Sequence, residues 1–244
     1  MKIGVVSDVH GNAQALAAGL AQLERERIEH LVMLGDLLSY GCRPLEVLER
    51  MAAAARRWPT TFLVGNHDQL YFELQRGEEG YVTQVHGWIQ ESARWTNARL
   101  GDSRLETMFP WTDQWRHGDV LFAHANPFAA RDWRYLNTDV ERDRATATLL
   151  EQRLRVGVFG HTHRRSDVRG RGVRLLNPGS LGQPRDQAAV STVALLDGDD
   201  WRVLELAYDE AAHRSDVEQS GLSAATQREI LKFHGSGAAA GDAR

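Results

Sequence analysis

The chain has 244 residues, 42% of them hydrophobic and 25% charged, with a formal net charge of −4. These proportions allow one large domain with a sizeable core, and an acidic balance without a Lys/Arg cluster argues against stable binding to nucleic acid. The single cysteine, Cys42, excludes an internal disulfide and thiolate metal sites. The apolar run at residues 3–6 is far too short for a signal peptide or a membrane span, so a cytoplasmic protein with no membrane attachment is expected.

Three early segments share one plan. Residues 2–6 read as a strand ended by the polar stretch 7–12, and residues 13–27 carry Leu16, Leu20 and Leu23 at helical spacing. The second unit is a strand at 31–34, a polar turn at 35–43 and a helix at 44–57. Its Pro44 suits the first helical turn, and Leu45, Leu48 and Ala52 form an apolar stripe. The third is a strand at 61–64 ended by Gly65-Asn66-His67-Asp68. Strand, turn and helix repeated in this way predict parallel βαβ units.

Residues 69–115 read as a helical insertion between strands. Within it, 81–99 is expected to be one helix with Val82, Val85, Ile89 and Ala93 on a single face and Trp88 and Trp95 packed beside it. Strands are expected again at 119–123, 156–159, 173–176, 190–196 and 201–207, the later ones without long helices between them. Asp197-Gly198-Asp199-Asp200 is a hairpin signal. The second half thus reads as a mainly antiparallel or mixed sheet, and two sheets with helices outside is the simplest assembly. Residues 209–234 read as a helix packed on the surface. The small, polar residues 235–244 read as a disordered tail, leaving one domain over 1–234.

Five polar clusters each end an apolar β-type run: Asp8-Val9-His10, Gly35-Asp36, Gly65-Asn66-His67-Asp68, His124 and Gly160-His161-Thr162-His163. Half of the ten histidines fall in them; His30, His86, His117, His213 and His234 lie outside and read as surface or structural. Ligands of open α/β sheets bind beyond the carboxyl ends of the strands, so these residues are expected to meet on one rim. Carboxylate, imidazole and amide oxygen without thiolate suit manganese, iron or zinc. In extended or turning backbone, the spacing of Asp8-x-His10 and His161-x-His163 lets both side chains of each pair approach one centre. Asp8, His10, Asp36, Asn66, His124, His161 and His163 are more ligands than one ion takes. They fit two ions ~3.5–4 Å apart sharing a carboxylate.

This order of motifs resembles the calcineurin-like metallophosphoesterase superfamily. Asp8-Val9-His10-Gly11-Asn12 and Asn177-Pro178-Gly179-Ser180 resemble its small bacterial and archaeal phosphodiesterase branch. The resemblance implies an α/β fold, a four-layer α/β/β/α sandwich of two mixed β-sheets flanked by helices. It places Asp8, His10 and His163 on one metal, Asn66, His124 and His161 on the other, and Asp36 between them. It makes His67 the non-ligand histidine that serves the leaving-group oxygen. The expected cofactors are two divalent metal ions per chain, manganese first, with iron, zinc, cobalt or nickel as alternatives.

The resemblance has one gap. Protein phosphatases of the superfamily carry an Asp-Arg pair shortly after Gly-Asp, whereas Gly35-Asp36 is followed here by Leu37-Leu38-Ser39-Tyr40-Gly41. Tyr40 and Arg185 are candidate substitutes at the substrate. Asn12 could reach a phosphate oxygen or cap the helix that follows, and Asp68 could orient His67 or close its turn. Phe128, Trp133 and Tyr135 could stack on a nucleobase or pack within their own loop. The expected chemistry is hydrolysis of small phosphate esters by a metal-bound hydroxide, first as a phosphodiesterase on nucleotide-type substrates. A phosphomonoesterase or dinucleoside polyphosphate hydrolase is the alternative, and a non-catalytic scaffold of the same fold or a single-metal esterase on non-phosphate bonds the different class. The expected partner is a small phosphate-ester or nucleotide substrate; a homo-oligomer is left open.

Overall fold

The structure, a computed structural model, describes residues 1–186 and 189–234. Two sheets face each other with helices outside. The first has six strands in the order β11-β10-β1-β2-β3-β4: β1 (Lys2–Val6), β2 (His30–Met33), β3 (Thr60–Leu63), β4 (Trp111–Thr112), β10 (Thr192–Asp197) and β11 (Asp200–Glu205). The second has the order β5-β6-β7-β9-β8, built from β5 (Gln114–His117), β6 (Val120–Ala123), β7 (Val156–Phe159), β8 (Ser166–Gly170) and β9 (Val173–Asn177). Strands β1 to β4 run parallel, as do β6, β7 and β9, while β5, β8, β10 and β11 pair antiparallel. Both sheets are therefore mixed.

Side-chain alternation explains the layering. Ile3 and Val5 of β1 point into the space between the sheets with Val32, Leu34, Leu63, Phe122, Val158 and Leu176. Val6 faces the other way, toward helices α1 (Ala13–Arg25) and α2 (Pro44–Arg57). Each fully buried aliphatic side chain contributes roughly 1.5–3 kcal/mol, so both faces hold the sheet. A Cβ at Gly4 would lie 2.8 Å from Ile28 and 3.0 Å from Leu23, so its missing side chain lets the end of α1 close on the strand. On the far side, α6 (Asp139–Glu151) packs Ala145 and Leu149 against Leu121, Phe159 and Leu175. The four layers expected from the resemblance are present.

Several boundaries differ from the sequence reading. Residues 69–115 are not all insertion. Helix α3 (Asn66–Gln75) completes the third βαβ unit, and residues 111–112 and 114–115 already belong to β4 and β5. The expected helix 81–99 is two pieces, a 3₁₀ turn (Tyr81–Gln84) and α4 (Gly87–Leu100), because Val85 is extended and breaks the ladder. A short α5 (Leu105–Met108) follows. Strands β10 and β11 cross back to the first sheet instead of extending the second, although their two-residue turn at Gly198-Asp199 is the hairpin expected. Helix α6 was not foreseen between β6 and β7; its apolar stripe is weak, but Thr138 and Glu141 form a capping box that marked its start. The expected helix 209–234 is two helices, α7 (Glu210–Glu218) and α8 (Ala224–Leu231), separated around Gly221, whose φ is +81°. Residues 235–244 lie outside the described residues. No helix among those described is long and apolar enough to cross a membrane.

The C-terminal helices bury two histidines. His213 is 1% exposed, its ring lies 4.4 Å from that of His234, and its Nε2 has no partner. Burial lowers its pKa from 6.5 to about 4, against the opposing pull of Asp216. Below pH 6.5 the unfolded chain therefore takes up a proton that the folded chain refuses. Stability falls as pH drops from 6.5 to about 4, by about 3 kcal/mol from this residue. In His213→Gln the melting temperature should decline less steeply than wild type over that window; parallel profiles would refute the assignment.

Candidate metal centre

The five polar clusters meet at the carboxyl ends of β1, β2, β3, β6 and β7. Their turns share an unusual backbone. Asp8, His10, Asp36, Ser39, Tyr40, His161 and His163 all have φ between +47° and +82°. L-residues avoid this region, at a cost of order 1–3 kcal/mol each, and such strain persists where function needs a side chain aimed in a set direction. The turns are tied together by Asp8 N–H to the Gly35 carbonyl (3.1 Å), His10 N–H to that of Asp36 (3.0 Å) and Gly160 N–H to that of His124 (2.7 Å). The Asn177-Pro178-Gly179-Ser180 turn braces them from behind. Asn177 donates to the Gly160 carbonyl and the Ser180 hydroxyl to that of Asp8.

All seven candidate ligands are buried, none more than 6% exposed. Ligand atoms of Asp8, His10, Asp36 and His163 lie within 4.8 Å of one another, and a second group of Asp36, His124 and His161 is equally close. Asp36 belongs to both. Its Oδ1 accepts from the His67 N–H at the start of α3 (2.8 Å), while Oδ2 lies 3.5 Å from His124 Nε2 and 3.7 Å from His10 Nε2. One oxygen of Asp8 accepts from the Ser7 hydroxyl and from His161 N–H, leaving Oδ1 buried without a partner, 3.3 Å from His163 Nε2.

The tautomers fit a cation. His10, His124 and His163 each turn Nδ1 to a backbone carbonyl, of Leu38 (3.1 Å), Leu34 (2.8 Å) and Gln183 (2.7 Å). His161 turns Nε2 to that of Trp133 (2.9 Å). A nitrogen facing a carbonyl must carry the hydrogen, so the opposite nitrogen presents its lone pair inward. His10 Nε2 and His163 Nε2 then stand 3.1 Å apart as two acceptors, and so do His124 Nε2 and Asn66 Oδ1 at 3.0 Å. The Asn66 amide nitrogen is fixed by the Tyr81 hydroxyl, which aims its oxygen inward. Acceptor pairs this close need a positive charge between them, which a divalent ion at each position supplies.

The electrostatics agree. Burial lowers the pKa values of His10, His161 (to about 3) and His163, keeping them neutral as ligands must be. At His124 burial is outweighed by Asp36 and Asp8, which raise its pKa to about 9; a field that favours a proton there favours a cation. Asp8 and Asp36 are held well below the usual carboxylate range, their burial overcome chiefly by His163 and His124 respectively.

The remaining candidates separate. His67 is 5% exposed, with Nδ1 2.8 Å from the Ser39 hydroxyl and Nε2 2.9 Å from the Tyr40 hydroxyl. Ser39 continues to the Tyr71 hydroxyl at 2.9 Å. Tyr40 is also held by its N–H to Ser92 of α4 and by the Trp88 ring, so the insertion borders the site. Asp68 closes the turn: its carboxylate accepts from the Gly65, Asp36 and Leu37 N–H groups, while the His67 ring nitrogens bond to Ser39 and Tyr40. Asn12 is the cap of α1, not a phosphate contact. Its Oδ1 accepts from Ala15 N–H, its amide turns to the Gly182 carbonyl and the Tyr208 hydroxyl, and it is 0% exposed. Arg185 is half-buried and bonded to Gln183. Phe128 is covered by the Arg134 and Arg144 guanidinia, and the Trp133 indole donates to Gln69, so both pack within the fold. Tyr135 is 43% exposed and stacks on His161, with ring centroids 4.1 Å apart. Sequence reasoning missed Ser39, Tyr71 and Gln183, whose partners are 28 to 32 residues or a turn away and leave no local pattern.

Comparison with known proteins gives the same answer. A metallophosphoesterase from Sphaerobacter thermophilus superposes with a TM-score of 0.76 at 21% identity, over 96% of this chain and 99% of that one. The protein PH1004 of Pyrococcus horikoshii superposes with a TM-score of 0.82 at 19% identity, over 97% and 99%. The protein MJ0912 of Methanocaldococcus jannaschii is 28% identical over 229 residues, 85% of this chain and 88% of its own length. Residues 1–200 match the calcineurin-like phosphoesterase superfamily domain. With that match and a buried constellation able to hold divalent metal, the chain belongs to the calcineurin-like phosphoesterase superfamily and is a metal-dependent phosphoric ester hydrolase.

Proposed function

We propose that the enzyme hydrolyses small phosphodiesters of nucleotide type, with two divalent ions and manganese as the working metal. Asp8, His10 and His163 would hold one ion, Asn66, His124 and His161 the other, with Asp36 shared. Bound there, the ions supply positive charge to the phosphoryl oxygens and an acidified water. The chain orients them through carbonyl-anchored imidazoles, excludes bulk water by burial, and places His67 beside the reacting phosphate as the donor to the leaving oxygen. A single cysteine, with no disulfide to form, supports a cytoplasmic location.

The observation that carries the substrate class is Tyr135. Its inner face is fixed against His161 while 43% of it is exposed, an aromatic plate beside the site on which a base can stack. Such stacking is worth ~1–3 kcal/mol. The test is a panel of 2′,3′-cyclic nucleotides, bis-p-nitrophenyl phosphate, mononucleotides and diadenosine polyphosphates with Mn²⁺. Nucleotide diesters should show the highest kcat/KM, and Tyr135→Ala should lose ~10-fold on them and little on bis-p-nitrophenyl phosphate. Equal losses on both would remove the base-stacking role, and faster turnover of mononucleotides would make the enzyme a phosphomonoesterase.

A further inference from the structure

Among the described residues, Arg185 carries a positive charge with no carboxylate partner. Its guanidinium donates twice to Gln183 Oε1, at 3.2 and 2.6 Å, and lies 5.0 Å from the Phe233 ring. Both partners are neutral, and among the described residues no carboxylate pairs with it. The adjacent Asp186 cannot serve, because it is taken by Arg165 at 2.5 Å. Half-buried arginines are ordinarily matched by an anion, since an unpaired charge removed from water is costly.

The position of Arg185 says which anion. Its own N–H donates to the His163 carbonyl at 3.1 Å, so it follows directly on the backbone of a candidate metal ligand. Its guanidinium is bonded to the Gln183 side chain, and the Gln183 carbonyl holds the His163 imidazole, so the guanidinium lies on the His163 side of the site. Gln183 connects the two. It is 0% exposed, its carbonyl accepts from His163 Nδ1 at 2.7 Å, and its side-chain oxygen steers Arg185. Its Nε2 is buried with no partner. An orphaned buried donor costs about 1–3 kcal/mol and calls for an acceptor. One amide donor and one guanidinium, both beside His163, match two oxygens of a phosphoryl group.

We propose that Arg185, positioned by Gln183, binds the non-bridging phosphoryl oxygens of the substrate on the His163 side of the site. This rests on the phosphoesterase reading, and it assigns a phosphate-gripping cation that arrives from the turn after β9 instead of from the segment after Gly35-Asp36. The role of Gln183 is positional as well as hydrogen-bonding: a neutral acceptor orients the guanidinium without neutralising it.

The test uses the full chain loaded with Mn²⁺ and inorganic phosphate as the probe, with affinity measured by titration calorimetry and metal content by elemental analysis. Arg185→Ala is expected to weaken phosphate binding ~10–100-fold, the range for a lost charge-assisted hydrogen bond, with both metals retained. Arg185→Lys should fall between, since an ammonium keeps the charge but loses the fork. Gln183→Glu is the sharper variant. It gives Arg185 an ion-pair partner of the same shape and should weaken phosphate ~10-fold or more while preserving the fold. Phosphate affinity within twofold of wild type in Arg185→Ala or in Gln183→Glu, with metals in place, would overturn the proposal, as would a wild-type protein that binds Mn²⁺ but no phosphate. Phosphate bound through Arg185 by an enzyme that turns over no nucleotide diester would uphold the assignment and defeat the substrate reading alone.

Discussion

Asp36→Asn is expected to lower kcat/KM by ~10³-fold or more, about 4 kcal/mol of transition-state stabilisation, and to reduce the metal content below two per chain. The reason is geometric. Asp36 is the residue common to both ligand groups, with Oδ2 turned to His10 and His124 and Oδ1 anchored on the His67 N–H. Asparagine keeps the shape but removes the charge that offsets two cations in a buried site, and it offers one acceptor atom where the carboxylate offers two. Elemental analysis and kinetics with bis-p-nitrophenyl phosphate check this together. A variant that keeps two ions and full turnover would mean that Asp36 is not the shared ligand. Chelation of the wild-type protein should silence it as completely, with recovery on adding Mn²⁺.

His67→Ala is expected to separate substrates by leaving group. For an alkoxide leaving oxygen the loss should be ~10²–10⁴-fold, the usual worth of a positioned proton donor, whereas p-nitrophenolate departs with little help and should be nearly indifferent. The His67 ring lies edge-on to that of His10, with centroids 5.1 Å apart, but its Nδ1 and Nε2 meet Ser39 and Tyr40 and no candidate ligand atom, so metal content should be unchanged. The structure refines its part. Burial, opposed by Asp36, lowers the His67 pKa to about 4, so the imidazole is neutral at pH 7 and would serve the leaving oxygen as an N–H donor rather than as an imidazolium. Ser39, in contact with Tyr71, and Tyr40 stand at its two nitrogens as hydroxyl partners through which its proton can be arranged. Equal losses for alkyl and p-nitrophenyl esters would exclude a leaving-group role.

Asp8, His10, Asp36, Asn66, His67, His124, His161 and His163 were legible in the chain because each stands at the end of an apolar strand run, alone or in a motif no more than four residues long. Short motifs encode their own turns, and parallel strands bring all their carboxyl ends to one edge, so adjacency in the fold follows from pattern alone. The early βαβ rhythm was legible for the same reason, through the spacing of Leu16, Leu20 and Leu23 and Pro44 at a helix start. Helix α6 was less so, since its buried face is only Ala145, Thr146 and Leu149 on a charged cylinder.

The sequence by itself determined which residue types stand in which order against which strand ends, and hence the expectation of a divalent-metal centre in a phosphoesterase fold. Only the tertiary structure decided which nitrogen of each histidine faces inward, because carbonyls 20 to 90 residues away fix the tautomers. It also decided between the two roles open to Asn12 and to Asp68, a helix cap for the first and a turn for the second, and it left Arg185 on the His163 side of the site with a neutral partner. Hydrogen-bond geometry and local charge depend on neighbours distant in the chain, and no periodicity or motif spacing records them.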